Sequence, residues 1–217
     1  MHKEPIGPSM WDFDPSSWPD DDCVAVGADL EPSTLLEAYR KGAFPMPHEG
    51  ELLWWSPMER GVLVPERVRV TKSLRQSCRK YTVTVNESFE QVIDACADPQ
   101  REGAWIDPDI RAAYIQMNRL GWAHSIETRD GDGRLVGGLY GLAIGSVFAG
   151  ESMFHHARDA SKVALVWLAK LMGKHGLIDA QWNTAHLASL GFESWSRNQY
   201  LDAIGPLMET PGPSIWV

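Results

Sequence analysis

From Tyr81 onward the apolar positions recur with two distinct periods, and the changes between them predict a regular series of elements. Alternation over 81–85 predicts a strand. Spacings of three and four over 87–97 and 108–120 predict helices, the second opening at Asp107-Pro108. Strands at 123–129 and 134–143 flank Asp130-Gly131-Asp132-Gly133, a composition that favours a tight hairpin turn. The pattern continues with a strand at 146–150, a helix at 159–174, a strand at 177–180, and short helices at 184–190 and 196–204.

The first eighty residues are patterned less evenly. Residues 1–23, rich in Pro and Asp, read as an extended segment held to the body by Trp11, Phe13 and Trp18. Leu35, Leu36, Ala38 and Tyr39, after Pro32-Ser33, predict a short helix that stops at Gly42. Across 43–61, three prolines and two glycines exclude a long regular element although large apolar side chains are dense there. That stretch is either a packed connection between domains or one wall of a binding cleft. Residues 62–70 read as a strand interrupted at Pro65, and 72–80 as a short helix. The elements are those of an α+β chain, either one domain of ordinary size or a mixed-sheet core domain over 62–217 with a small N-terminal α/β partner over 1–61 that includes the aromatic and Pro-rich connection.

With 44% hydrophobic and 23% charged residues the chain has an ordinary globular composition. No apolar run approaches the length of a membrane span and none follows the N-terminus as in a secretory signal. Three separated cysteines, Cys23, Cys78 and Cys96, suggest a reducing, cytoplasmic setting. The net charge of −9 argues against a nucleic-acid partner until its distribution is considered, because 67–80 hold six basic residues and no acidic one. Lys72, Arg75 and Arg79 share one helix face, and with Lys80 they suit the phosphates of a polyanion better than a merely solvated surface. Some of the ten tryptophans can stack on bases.

Candidate chemistry gathers in LIDAQWNTAHLASLG, 177–191, where a short strand delivers Asp179 and Gln181 to one face. A carboxylate beside a carboxamide can hold and orient an amine, which suits acyl transfer to nitrogen without a nucleophilic Ser or Cys. The plainer alternative makes Asp179 a cap for the helix that starts near Thr184. Helix, helix, three antiparallel strands, helix, strand, helix is also the element order of the acyl-CoA N-acetyltransferase (GNAT) fold. Those enzymes cradle the CoA pyrophosphate on a Gly-rich turn at a helix N-terminus. Here 150–165 read GESMFHHARDASKVAL, so a different acyl carrier is expected.

Several segments together resemble leucyl/phenylalanyl-tRNA-protein transferases in sequence and order. They are DLEPSTLLEAYRKGAFP (29–45), LLWWSPMERGVLVP (52–65), EGAWI (102–106), GGLYG (137–141), FAGESMF (148–154), ASK (160–162) and IDAQ with HLASLG (178–191). The resemblance spans roughly 20–204. It implies a cytoplasmic aminoacyltransferase that moves Leu or Phe from aminoacyl-tRNA to the N-terminal Lys or Arg of a protein, marking it for degradation in the N-degron pathway. It also implies a GNAT-like catalytic domain, no cofactor, no metal and no membrane; nothing demands more than a monomer.

Residue by residue, the resemblance makes Gln181 the group that accepts a hydrogen bond from the attacking amine and Asp179 the group that fixes or polarises Gln181. Glu151 is implied to meet the acceptor's cationic end, its plain alternative being a buried structural carboxylate paired with a basic neighbour. Phe148, Met153, Leu165 and Leu168 match positions lining the donor side-chain pocket, and Trp105 a position near the terminal adenosine. Met46 stands where the family commonly has an aromatic against that adenosine. Phe192 stands where a small residue is usual, with an effect expected to stay within local packing. His155 and His156, adjacent on a helix entry, do not face one ligand, so no metal is expected there, and His186 reads as a structural hydrogen-bond partner. The competing functions are an N-acetyltransferase with a degenerate CoA loop and a non-catalytic tRNA-binding module.

Overall fold

The computed structural model describes residues 3–101 and 103–216; Glu102 of the EGAWI segment lies outside them. Strand β1 (Cys23–Val26), helix α1 (Pro32–Arg40) and strands β2 (Phe44–His48) and β3 (Glu51–Trp55) make an antiparallel sheet ordered β1-β3-β2 with α1 against it. The punctuated stretch over 43–61 thus holds short strands after all. Pro45 and Pro47 fall on β2, an edge strand, where a missing amide costs the ladder least. Phe13 is buried 4.6 Å from the Trp54 ring, and Trp18 is partly buried. Trp11, in contrast, stays 47% exposed, and its indole N–H donates to Asp29 at 2.8 Å.

The rest of the chain forms β4 (Glu59–Leu63), α2 (Lys72–Lys80), β5 (Thr82–Val85), α3 (Phe89–Cys96), α4 (Pro108–Arg119), β6 (Ala123–Arg129), β7 (Leu135–Ile144) and β8 (Val147–His155). It continues with α5 (Ala160–Met172), β9 (Leu177–Trp182), α6 (Ala185–Ser189), β10 (Glu193–Ser196) and α7 (Arg197–Glu209). Seven strands lie in the order β10-β4-β9-β8-β7-β6-β5, antiparallel except for β8 beside β9. Side-chain alternation divides β7 between two cores. Tyr140 and Leu142 pack with α3 and α4, whereas Leu139 and Ala143 pack with α5.

The predicted elements are present from 81 onward, with shifted ends. The strand expected over 62–70 stops at Leu63, because Pro65 opens a 3-10 turn over Pro65–Arg67. It also starts at Glu59, before the boundary set at 61/62. Strand β8 runs to His155 rather than 150, and β9 to Trp182 rather than 180. Four-residue β10 pairs only with β4 and is too short to show a period.

Parallel pairing of β8 with β9 lasts only from Val147↔Leu177 to Ala149↔Asp179, yet both strands continue. Beyond that point they part. The opening between them is the most conspicuous feature of the sheet.

Candidate functional site

Two β-bulges aim side chains into the opening. On β8 the register passes from Tyr140↔Ser152 to Gly141↔Gly150, leaving Glu151 as the extra residue. On β9 it passes from Arg60↔Trp182 to Val62↔Asp179, so Ala180 and Gln181 together oppose Gly61. Gln181 takes a left-handed conformation, φ 59°, uncommon for a residue with a side chain. Gly61 permits the close approach, since a Cβ there would lie 2.8 Å from the Asn183 nitrogen. Gly141 does the same for the other bulge, where a Cβ would stand 2.1 Å from the Ala149 carbonyl oxygen.

Asp179 is completely buried and is not a free carboxylate. Arg60 grips it from Nε to Oδ1 at 2.8 Å and from Nη2 to Oδ2 at 2.6 Å, and the Tyr200 hydroxyl donates to Oδ2 at 3.0 Å. Burial works against the charge on Arg60, but Asp179 outweighs it and raises the guanidinium's hold on its proton. The remaining contact of Asp179 is the one that matters for the opening: Oδ1 accepts the Gln181 backbone N–H at 2.9 Å. The expected pair is therefore brought together, but through the backbone of Gln181 rather than its carboxamide. Asp179 does not cap α6 either, because the Thr184 hydroxyl accepts from Leu187 N at 3.2 Å.

The Gln181 side chain turns to Glu151, with Nε2 donating to Oε1 at 3.4 Å. That contact leaves the Gln181 side-chain carbonyl without a hydrogen-bond donor among the described residues. Glu151 is 8% exposed, and no ion pair reaches it among the described residues. Burial pushes its carboxyl up to about 8; hydrogen bonding by the Tyr39 and Tyr114 hydroxyls and the charge of Arg60 pull it down, while Asp179 adds to the rise. Those two tyrosines are buried and hydrogen-bonded to each other through their hydroxyls. The buried pairing with a base, considered for Glu151, belongs to Asp179 instead.

Two cavities meet at these groups, both lined by Glu151, Ala180, Gln181 and Leu187. The first, of about 140 Å³, is walled by apolar side chains that include Leu139, Met153, Leu165, Leu168, Ile178 and Phe192. Phe192 is thus more than local packing. Phe148 is fully buried outside that wall, with its ring stacked 5.8 Å from Trp216. The second cavity, of about 270 Å³, is bounded by Phe44, Met46, Trp105 and Trp182. Trp182 is held by Phe44 at 5.2 Å, by Trp55 at 5.8 Å, and by Asp22, which accepts its indole N–H at 2.8 Å.

Lys72, Arg75, Arg79 and Lys80 are all exposed on α2, and none is in an ion pair among the described residues. Arg67, also counted in the basic stretch, pairs with Glu193. His155 ends β8, His156 packs 5.1 Å from the Phe154 ring, and neither stands at a helix start. His186 is exposed on α6 and forms no side-chain hydrogen bond among the described residues, so it is not the structural partner expected. No group of three His, Cys, Asp or Glu side chains suited to a metal occurs among the described residues. Sequence reasoning missed Arg60, Tyr200, Tyr39 and Tyr114. Arg60 gave no local signal, because it stands between Glu59 and Gly61, ahead of the strand expected over 62–70.

Leucyl/phenylalanyl-tRNA protein transferase is the family description matching residues 62–205, and its N-terminal domain matches residues 28–58. The chain is 46% identical to a leucyl/phenylalanyl-tRNA–protein transferase of Nitrosomonas eutropha, over 87% of this chain and 83% of that one. It is 47% identical to the protein of the same name from Aromatoleum aromaticum, over 90% and 86%. It is 48% identical to that of Chromohalobacter salexigens, over 90% and 79%. Among solved structures, the L-PGS of Bacillus licheniformis aligns at 12% identity with a TM-score of 0.37, over 71% of this chain and 52% of that one, too weak a likeness to build on.

Proposed function

Since the chain belongs to the leucyl/phenylalanyl-tRNA protein transferase family, we propose that it moves Leu or Phe from aminoacyl-tRNA to the N-terminal Lys or Arg of acceptor proteins, marking them for degradation. The observation that carries this is the meeting of an apolar cavity and an aromatic cavity at Glu151 and Gln181. An aminoacyl ester has the matching shape: an apolar side chain on one side of the carbonyl and an adenosine on the other. The first cavity is close to the roughly 150 Å³ in which an apolar site accepts a benzene ring, so it suits Leu, Phe or Met. Trp105 and Met46 offer a stacking and a polarizable contact to the base.

Chemistry then requires little beyond positioning. The ester is already activated, and the acceptor's α-amino group has an ordinary pKa of about 8. That matches Glu151, held at about 8, so one ammonium proton passes to its carboxylate at almost no free-energy cost. The neutral nitrogen, hydrogen-bonded to the Gln181 carbonyl, attacks the ester carbon. The C–N bond forms, the C–O bond to the ribose breaks, and the second amine proton goes to the departing ribose oxygen. Asp179 is a positioning residue acting through the Gln181 N–H. A GNAT-like use of the sheet would proceed here without CoA, because the turn 156–159 before α5 has no glycine to bring backbone amides against a pyrophosphate. The chain works as a cytoplasmic monomer on this reading.

The test is transfer of labelled Leu from Leu-tRNA to a peptide beginning with Arg, with acetyl-CoA as the competing donor. Transfer from acetyl-CoA alone would make the chain an acetyltransferase, and tRNA retention without transfer a binding module. Gln181→Ala is expected to lower kcat by about 10²-fold while changing tRNA affinity less than two-fold. Equal turnover would remove Gln181 from the mechanism. Phe192→Leu loosens the apolar cavity and is expected to raise the Phe-over-Leu ratio of kcat/KM by about three- to ten-fold; an unchanged ratio would exclude Phe192 from donor selection.

A further inference from the structure

A third opening, of about 970 Å³, adjoins both cavities and is the widest of the three. It shares Met153 and Leu187 with the apolar cavity, and Thr184 and Leu187 with the aromatic one. Its charge contrasts with the whole molecule. Arg101, Arg158 and Lys162 line it together with His155 and His186, in a chain whose net charge is −9. Among the described residues Asp159 is the one acid lining it, and it is already balanced by Lys162 at 3.6 Å and Arg158 at 3.8 Å and accepts from the Ser77 hydroxyl at 2.9 Å.

The cations differ in freedom. Arg101 is fixed by donating to the carbonyls of Cys96 and Met153, each at 2.5 Å, and so is a preset charge beside the cavity mouth. Arg158, just before α5, and Lys162, in its first turn, both approach Asp159, and the Arg158 side chain stays 85% exposed. Away from the cavities the groove runs toward α2. Ser77 on α2 holds Asp159, and Tyr81 just beyond the helix donates its hydroxyl to the Arg158 carbonyl at 3.0 Å. The groove therefore lies between the site of the ester and the place where α2 packs on the start of α5.

We infer that this groove carries the phosphates of the nucleotides preceding the terminal adenosine of the donor tRNA, with Arg158 and Lys162 as contacts and Arg101 as a fixed charge. This rests on the reading above that the terminal adenosine occupies the aromatic cavity. A chain leaving that cavity past Thr184 and Leu187 enters the groove. The groove suits a polyanion, because the N-terminal Arg or Lys of an acceptor would meet like charge there.

The double variant Arg158→Gln, Lys162→Gln tests it, assayed with full-length Leu-tRNA and with leucyl-adenosine, which has no upstream phosphate. With tRNA, KM is expected to rise on the order of five- to ten-fold at constant kcat. The dependence of log kcat/KM on log salt is expected to become shallower by about 1.4, or about 0.7 for each single-strand phosphate no longer neutralised. With leucyl-adenosine, kcat/KM is expected to stay within two-fold of wild type. An unchanged KM for tRNA, an equal reduction with both donors, or a change confined to the acceptor-peptide KM would overturn the assignment, the last by giving the groove to the polypeptide. The wild type is measured first. If it transfers nothing from Leu-tRNA, the reading of the cavities falls; if it transfers and the variant matches it, only the groove does.

Discussion

Glu151→Gln is expected to lower kcat for transfer by about two to four orders of magnitude and at the same time to make the fold more stable at alkaline pH. Both effects come from one buried carboxyl. Gln keeps the shape and can still meet the Gln181 amide, but it cannot take a proton from the incoming ammonium. For the wild type, the reactive pair shares one proton between groups that both titrate near 8, so kcat/KM for the acceptor should peak close to pH 8 and fall on either side. In the variant the limb belonging to Glu151 disappears.

The stability change has a definite sign. Folding raises this carboxyl from 4.5 to about 8, so the native state binds the proton more tightly than the unfolded chain. The associated stability is fully present below pH 4.5 and is lost as the pH climbs through 8. Thermal unfolding should therefore show the variant and wild type alike at pH 4.5, with the variant increasingly ahead up to pH 9. Wild-type turnover in the variant would remove Glu151 as proton acceptor. Parallel stability curves would mean that the carboxyl is not held neutral by its surroundings.

Arg60→Met is the second large effect. It removes both guanidinium contacts from Asp179 at 0% exposure, a loss of about 3 to 5 kcal/mol for a broken buried pair. At two to four degrees per kcal/mol for a chain of this size, Tm is expected to fall by about 6 to 20 °C. Transfer should fail at temperatures where the variant is still folded, because Asp179 no longer holds the Gln181 N–H in place. The double variant Arg60→Met, Asp179→Leu separates the two contributions. Removing both charges is expected to restore most of the stability without restoring transfer, since the Gln181 N–H then has no acceptor. Recovery of turnover in the double variant would make the pair purely structural.

Regular periodicity made the later half of the fold legible. Helices α3 to α5 and strands β5 to β9 follow spacings that a local reading detects, because burial of one face imposes them residue by residue. The first half resisted, since β2 to β4 have only five residues each, Pro45 and Pro47 break the pattern of β2, and β4 finds its partners β9 and β10 far away in sequence. Trp11 departs from its expected role as an anchor for a related reason: an indole can be useful at the surface when one polar partner, here Asp29, reaches it.

At the site, the chain by itself marked out Asp179 and Gln181 by type and spacing, whereas Glu151, Met153, Leu165 and Leu168 were legible only through the family resemblance. What these residues can do was decided by tertiary structure. Two bulges, each permitted by a glycine on the neighbouring strand, turn Glu151 and Gln181 into the gap where β8 and β9 part. Contacts across long stretches of chain bind Asp179 to Arg60 and Tyr200, and surround Glu151 with Tyr39 and Tyr114. The physical reason is that proton affinity depends on desolvation and on neighbouring charge, and no residue carries either of those before the sheet closes around it.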